Sequence, residues 1–311
     1  MVSAFQPQEG NNEQNNKTLS VKCIHCKSEN FRKEGYRKTQ NRGKIQKYYC
    51  QDCKKYFTMD YGFYRMRNSE NKITSAIDLY FSNLSSRKIR NHFRRHLPKN
   101  ASHVSILNWS RKYVLKVNKY VDTLQPQLSG QYYADETEID RERVNDNFWC
   151  CVDWGTRFIV GTHYSIRTDI EEAKTFLQKI KLKGKPKYIQ TDSALFYPKA
   201  MSYIFSASPK KRFCEDGTER VVHRINNVSK SGKHNVRIET VFSKVKDRVD
   251  DFRGLKALWS APILMQGIIL QHNFIEAHTT TGKVPCELAG LKLDVGVNRW
   301  LGLIKESSIK D

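Results

Sequence analysis

The period of the hydrophobic positions changes several times along the chain, and each change marks a part. Residues 1–20 are Gln-, Asn- and Glu-rich with few apolar positions, so a disordered tail is expected there. Between 21 and 60 basic and aromatic residues interleave, as in Phe31, Tyr36 and Lys47-Tyr48-Tyr49. That pattern suits a small β-ribbon with too little apolar surface for a core of its own. From 70 to 124 the period turns helical. Ile73, Ala76, Ile77, Tyr80 and Phe81 make one stripe. Ser85 or Ser86 can cap a second helix holding Ile89, His92 and Phe93, with Pro98 ending it. Ser102 can cap a third, through Val104, Leu107, Tyr113 and Val114 to about Val121. A turn near Asn83-Leu84-Ser85 makes this a candidate helix-turn-helix.

From residue 131 the pattern alternates. Gln131–Ile139, Asn147–Asp153 and Arg157–Tyr164 read as three strands, close enough for an antiparallel meander. Asp169–Lys181 is an amphipathic helix, and Pro186–Asp192 a fourth strand ending in an acid. A basic stretch follows from Pro209 to Lys233, within which 209–220 reads as a surface insertion. Asn235 to about Asp251 is helical, and Leu255–His278 reads as one long apolar helix. The order βββαβ…αα implies an α/β domain over 129–290, a mixed sheet with helices on its faces, followed by an extension at 291–311.

Charge adds a partner to this picture. The 311 residues hold 54 Lys and Arg against 32 Asp and Glu, a net +22. Residues 1–128 carry 25 basic against 9 acidic side chains, and residues 129–311 carry 29 against 23. The excess therefore belongs to the first part, which points to phosphate binding ahead of a more balanced domain. No stretch is apolar enough to span a membrane, and the N-terminus lacks an apolar signal core. A cytoplasmic, DNA-associated protein without membrane partners is expected.

Cys23-Ile-His-Cys26 and Cys50-Gln-Asp-Cys53 place two CxxC pairs 23 residues apart. Each pair can turn both sulfurs toward one ion, so Cys23, Cys26, Cys50 and Cys53 are expected to hold one structural Zn²⁺. His25 is expected on the surface. In the helical part, Ser102, His103, Ser105 and Asn108 would face base edges, and Arg111 and Lys112 would face phosphates. Arg87, Lys88, Arg94 and Arg95 add basic charge on the second helix.

Three acids stand out by position. Asp135 is central in a strand, Asp192 ends one, and Glu239 lies in a helix. Three carboxylates brought together repel one another and call for hard cations, Mg²⁺ or Mn²⁺. Two such ions about 4 Å apart suit phosphodiester displacement. Glu136, Glu138, Asp140, Asp153, Asp216, Asp247 and Asp250 compete for such a role on position alone.

Residues 131–290 resemble the catalytic domain of DDE transposases, most nearly those of the IS6/IS240 group of insertion sequences. The resemblance is carried by Tyr133-Ala-Asp135-Glu-Thr-Glu-Ile139, Trp149–Asp153, Ser165-Ile-Arg167 and Gln190-Thr-Asp192-Ser-Ala. It continues in Asn235-Val-Arg-Ile-Glu239 through Lys246, His272–His278 and Gly282-Lys-Val-Pro285. It implies an RNase H-like five-stranded mixed sheet, with Asp135, Asp192 and Glu239 binding two Mg²⁺ per active site. Lys246, seven residues after Glu239, would face DNA. The implied function is binding of transposon ends, strand cleavage and 3′-OH strand transfer, by a homodimer or higher oligomer. A catalytically silent regulator or a nuclease of the same fold are the alternatives. The stretch between Asp192 and Glu239 is longer than the family pattern.

Overall fold

The alternating stretch at Gln131 becomes the middle strand of the main sheet. The computed structural model describes residues 21–39, 43–59, 61–97, 101–205, 221–226, 236–252 and 255–309. The expected tail, the Pro98 stop and the 209–220 insertion lie outside them. The chain divides into two compact units, Met1–Asp60 and Tyr61–Asp311.

In the first unit, β1 (Phe31–Thr39), β2 (Gly43–Cys50) and β3 (Tyr56–Thr58) form an antiparallel sheet. Its apolar content is slight: Tyr48 stacks on Phe57 and meets Phe31 edge-on. The four cysteines sit beside this aromatic cluster, where a metal can supply what the core lacks.

The second unit begins with α1 (Glu70–Phe81), α2 (Ser86–His96) and α3 (His103–Asp122). Ser69, Ser85 and Ser102 cap them, each accepting the N–H three residues on. Asn83 takes a left-handed conformation (φ 68°), which the turn between α1 and α2 requires.

The main sheet joins β4 (Gln131–Arg141), β5 (Val144–Asp153), β6 (Ile159–Ser165), β7 (Tyr188–Thr191) and β8 (Val222–Ile225) in the order β6-β5-β4-β7-β8. β4, β5 and β6 are antiparallel neighbours, while β7 and β8 add in parallel. This is the RNase H-like arrangement. β6 starts two residues later than expected, because the Asp153 carboxylate accepts both the N–H and the hydroxyl of Thr156 and closes a turn first.

One face of the sheet, with Ala134, Trp149, Cys151 and Ile189, packs on α4 (Ile170–Lys181) and α5 (Phe196–Phe205). The other, with Phe148, Cys150 and Val152, packs on α6 (Val236–Asp251) and α7 (Ala261–Leu270). That second core is continuous with α1–α3 and with α9 (Arg299–Ile309), which follows the short α8 (Pro285–Leu288). Burial drives the thiols of Cys150 and Cys151 upward, as expected for packed cysteines.

The long helix expected over 255–278 is replaced by three pieces. Leu255 bridges to Arg141, with its N–H on the Asp140 carbonyl. The helix then starts at Ala261, where Pro262 suits the first turn because its missing N–H is not needed there. After Leu270 the chain widens into a π-turn, Gln271–Ile275. That turn aims Asn273 sideways onto the β6 backbone, accepting from Ile159 N–H and donating to Ile159 C=O, both at 2.9 Å. It also aims the buried Gln271 amide at Asp78 and Ser82 of the α1 end, while Trp300 Nε1 donates to its carbonyl at 2.8 Å.

Candidate active site

β4 and β7 run parallel with Tyr133 beside Gln190. Carried two residues on, that register sets Asp135 beside Asp192 just past the end of β7. Parallel pairing thus unites two acids that lie far apart in sequence. Asp192 Oδ1 accepts the Ala194 N–H at 3.0 Å, and Asp135 Oδ1 accepts the Glu136 N–H at 3.0 Å. α6 packs on this face through Ile238, Val241, Phe242, Val245 and Val249, with Phe242 edge-on to Phe148. The packing leaves Glu239 exposed near the start of the helix.

The electrostatics record the convergence. Burial lifts the Asp135 carboxyl to about 6, and the charges of Asp192 and Glu239 push it the same way. One carboxylate oxygen each from Asp135, Glu136 and Asp192 falls within 4.8 Å of the others. Glu239 acts on Asp135 through its charge from outside that group.

Glu136 is the residue that the sequence did not single out. Neighbours on a strand point to opposite faces, so Asp135 and Glu136 should part. Because Asp192 stands just past the end of β7, it meets both. Glu136 Oε2 accepts from the hydroxyl of the buried Tyr197 at 2.5 Å. Burial lifts its carboxyl to about 7, with Asp135 and Asp192 adding. Tyr197 lies on α5, a helix outside the expected elements, so no spacing signal could have linked the two.

The donor set fits a hard divalent cation: several carboxylate oxygens, partly buried, facing one another. Lys246 is exposed on α6, seven residues beyond Glu239 and about 10 Å along the axis.

The cysteines also converge. Cys23 Sγ lies 3.6 Å from Cys53 Sγ, and Cys26 Sγ 3.5 Å from Cys50 Sγ. Four thiolates around one Zn²⁺ at about 2.3 Å would sit near those separations. Lys27 and Lys54, each following the second cysteine of its pair, take positive φ and close matching knuckles. Backbone N–H groups of Cys53 and Asp52 hold the Cys50 thiol down to about 7. The Asp52 carboxylate ties the knuckles together by accepting from Ser28 and, at 2.8 Å, from Asn30. His25 is exposed, its Nε2 3.4 Å from the Tyr56 carbonyl.

The expected base-reading residues separate into two groups. Ser102 spends its hydroxyl on the α3 cap, bonding Ser105 N–H at 3.0 Å and Ser105 Oγ at 2.9 Å. His103 is half-buried, while Asn108 and Lys112 lie on the exposed side of α3. Arg111 turns the other way, its guanidinium 4.7 Å from the Trp259 ring and its Nε buried without an acceptor. Arg87, Lys88, Arg94 and Arg95 are all exposed on α2.

Residues 130–278 match the family described as a DDE domain, of the IS240 transposase type. No curated protein matches the chain significantly. Among solved structures, a simian T-cell lymphotropic virus intasome bound to a PP2A regulatory subunit is 14% identical, with TM-score 0.39 over 72% of this chain and 73% of that one. The HTLV-2 integrase catalytic core domain in complex with magnesium is 16% identical in its dimeric form, with TM-score 0.35 over 54% of this chain and 99% of that one. Its trimeric form is 17% identical, with TM-score 0.33 over 53% and 98%. Residues 130–278, with their five-stranded sheet and acidic cluster, are thus a DDE domain of the IS240 transposase type.

Proposed function

We propose that this chain is a DNA strand transferase that binds the ends of a mobile element and joins them to target DNA. The observation that carries the reading is the grouping of the Asp135, Glu136 and Asp192 carboxylate oxygens within 4.8 Å of one another, with the charge of Glu239 acting on Asp135. Asp135, Asp192 and Glu239 would hold the divalent ions, with Glu136 at the edge of the cluster. When bound, such ions stabilise the attacking and leaving oxygens of an in-line phosphodiester displacement.

The residues of the chain do the rest. The carboxylates supply negative charge that only a cation offsets, so the site is shaped for metal before DNA arrives. The exposed Lys246 offers a cation to the DNA backbone beside the cluster. The basic α2 surface and the outer side of α3 would seat the end sequence, with a second copy pairing the other end. The chemistry balances without an enzyme-bound intermediate. Water attacks phosphorus and displaces a 3′-hydroxyl. That hydroxyl then attacks a target phosphodiester and displaces a target 3′-oxygen.

The test is strand transfer by the full-length protein, using oligonucleotides with the DNA termini that flank its coding sequence. A joined product that requires Mg²⁺ and disappears in Asp192→Asn is expected. Wild-type joining by Asp192→Asn would remove that acid from the mechanism. Nicking without joining would favour a nuclease, and DNA binding without either a regulator.

A further inference from the structure

The sheet face that carries Asp135 and Asp192 is not covered evenly. α6 covers its β4–β5 side, whereas on β7 and β8 Val222 and Arg224 are exposed and Tyr188 and Gln190 half-buried among the described residues. Val222 is 52% exposed there. Register fixes who shares this face: Tyr188 lies between Gln131 and Val222, and Gln190 between Tyr133 and Arg224. Tyr133 and Gln190 are each two residues before an acid, one side-chain repeat or about 7 Å away on the same face.

Across this open part runs a ladder of rings ending in a guanidinium at each side. Arg237 lies over the Trp154 ring at 3.3 Å, and Trp154 packs on Tyr133 with centroids 4.8 Å apart. Tyr133 meets Tyr188 at a 76° angle, their hydroxyls 3.3 Å apart, and Arg224 covers the Tyr188 ring at 3.7 Å. Arg237 stands two residues before Glu239 on α6. Among the described residues neither guanidinium has a hydrogen-bond or ion-pair partner. Arg237 is itself half-buried. A half-buried guanidinium without a hydrogen-bonded acceptor is better satisfied once an anion arrives.

A ring beneath a guanidinium fixes its plane and leaves its N–H edge free, so the fork is set before it binds. We infer that Arg224 and Arg237 are a pair of preset forks that grip backbone phosphates of the DNA strand crossing the open face of β7 and β8 into the acidic cluster. The ligand class rests on the strand-transferase reading above, but the binding does not require chemistry. The aromatic rows serve as the floor that holds both forks, and the strand lies across them.

The experiment measures binding by the full-length protein in chelator, by anisotropy of a labelled single strand and of a duplex with a 3′ overhang. Arg224→Lys and Arg237→Lys keep the charge but lose the fork. Each is expected to weaken overhang binding roughly tenfold, the loss of one charge-assisted hydrogen bond. Tyr188→Phe, which keeps the ring under Arg224, should bind like wild type, and Tyr188→Leu should behave like Arg224→Lys. Unchanged affinity in both lysine variants would overturn the inference even if strand transfer proceeds normally. If the lysine variants lose affinity as expected while wild type never joins the oligonucleotides in Mg²⁺, the clamp stands and the transferase reading falls.

Discussion

Removing the charge of Glu136 should make the protein more stable, and increasingly so as pH rises. The carboxyl ordinarily titrates near 4.5 and is lifted to about 7 in the folded chain. A folded-state value above the unfolded one means that the folded chain resists ionisation. The stability carried by the protonated form is intact below the unfolded value and is lost as pH climbs through about 7. Integrating between about pH 5 and about pH 8.5, this single group takes away roughly 2–3 kcal/mol. Glu136→Gln keeps the shape and an acceptor for the Tyr197 hydroxyl but has nothing to ionise. Buried His272, held down to about 4, favours the folded state as pH rises through the acid range. It does so in both proteins and cancels in the difference. At about 2–4 °C per kcal/mol for a unit of this size, the Tm advantage of Glu136→Gln should grow by roughly 5–10 °C across that range. Differential scanning fluorimetry in chelator measures it. Added Mg²⁺ should narrow the gap at the alkaline end by raising wild type more than the variant. A Tm difference that stays flat with pH would refute the reasoning, since it would mean that Glu136 ionises in the folded chain as freely as in the unfolded one.

Cys26→Ser, or a strong zinc chelator, should unfold residues 21–60 while the melting of the second unit stays within a degree or so, read by near-UV dichroism and limited proteolysis. Gly267→Ala places a Cβ 2.1 Å from the Phe81 ring, so the core must shift; denaturant melts should show about 1–3 kcal/mol of destabilisation. Trp300→Phe leaves the buried Gln271 carbonyl without the indole donor and should cost about 1–3 kcal/mol by the same measurement.

Much of this architecture is written in short-range pattern. The strands expected from 131, 147 and 157, found from 131, 144 and 159, the Asp169-capped helix and the three serine-capped helices follow from alternation, period and capping, because each is dictated by its own residues. The paired CxxC spacing likewise announces its four sulfurs. What the pattern leaves out is decided by tertiary contact. β8 is only Val222–Ile225, and it sits in a basic stretch that reads as loop until β7 lends it a partner. α5 has no capping signature and is held by the Trp149 and Tyr197 cluster. The break at Leu255–Ser260 depends on a bridge to Arg141, more than a hundred residues away. Glu136 joins the acids only because parallel pairing carries Asp192 to the strand end, a relation no local spacing encodes.

For the strand transfer proposed above, the sideways amides of the π-turn have a consequence for where DNA would be cut. Asn273 fastens that turn to β6, and Gln271 fastens it to the end of α1. Asn298 adds a bond to Thr74, and Phe252 stacks on Tyr80 with centroids 4.8 Å apart. The helices that would seat the element end and the sheet that carries the acids are therefore one piece, with no tether between them. In the proposed reaction such a piece would work as a ruler. A duplex seated on α2 and α3 as proposed would meet the acids at a set number of base pairs from its recognised sequence, measured by the protein core and indifferent to the bases in between.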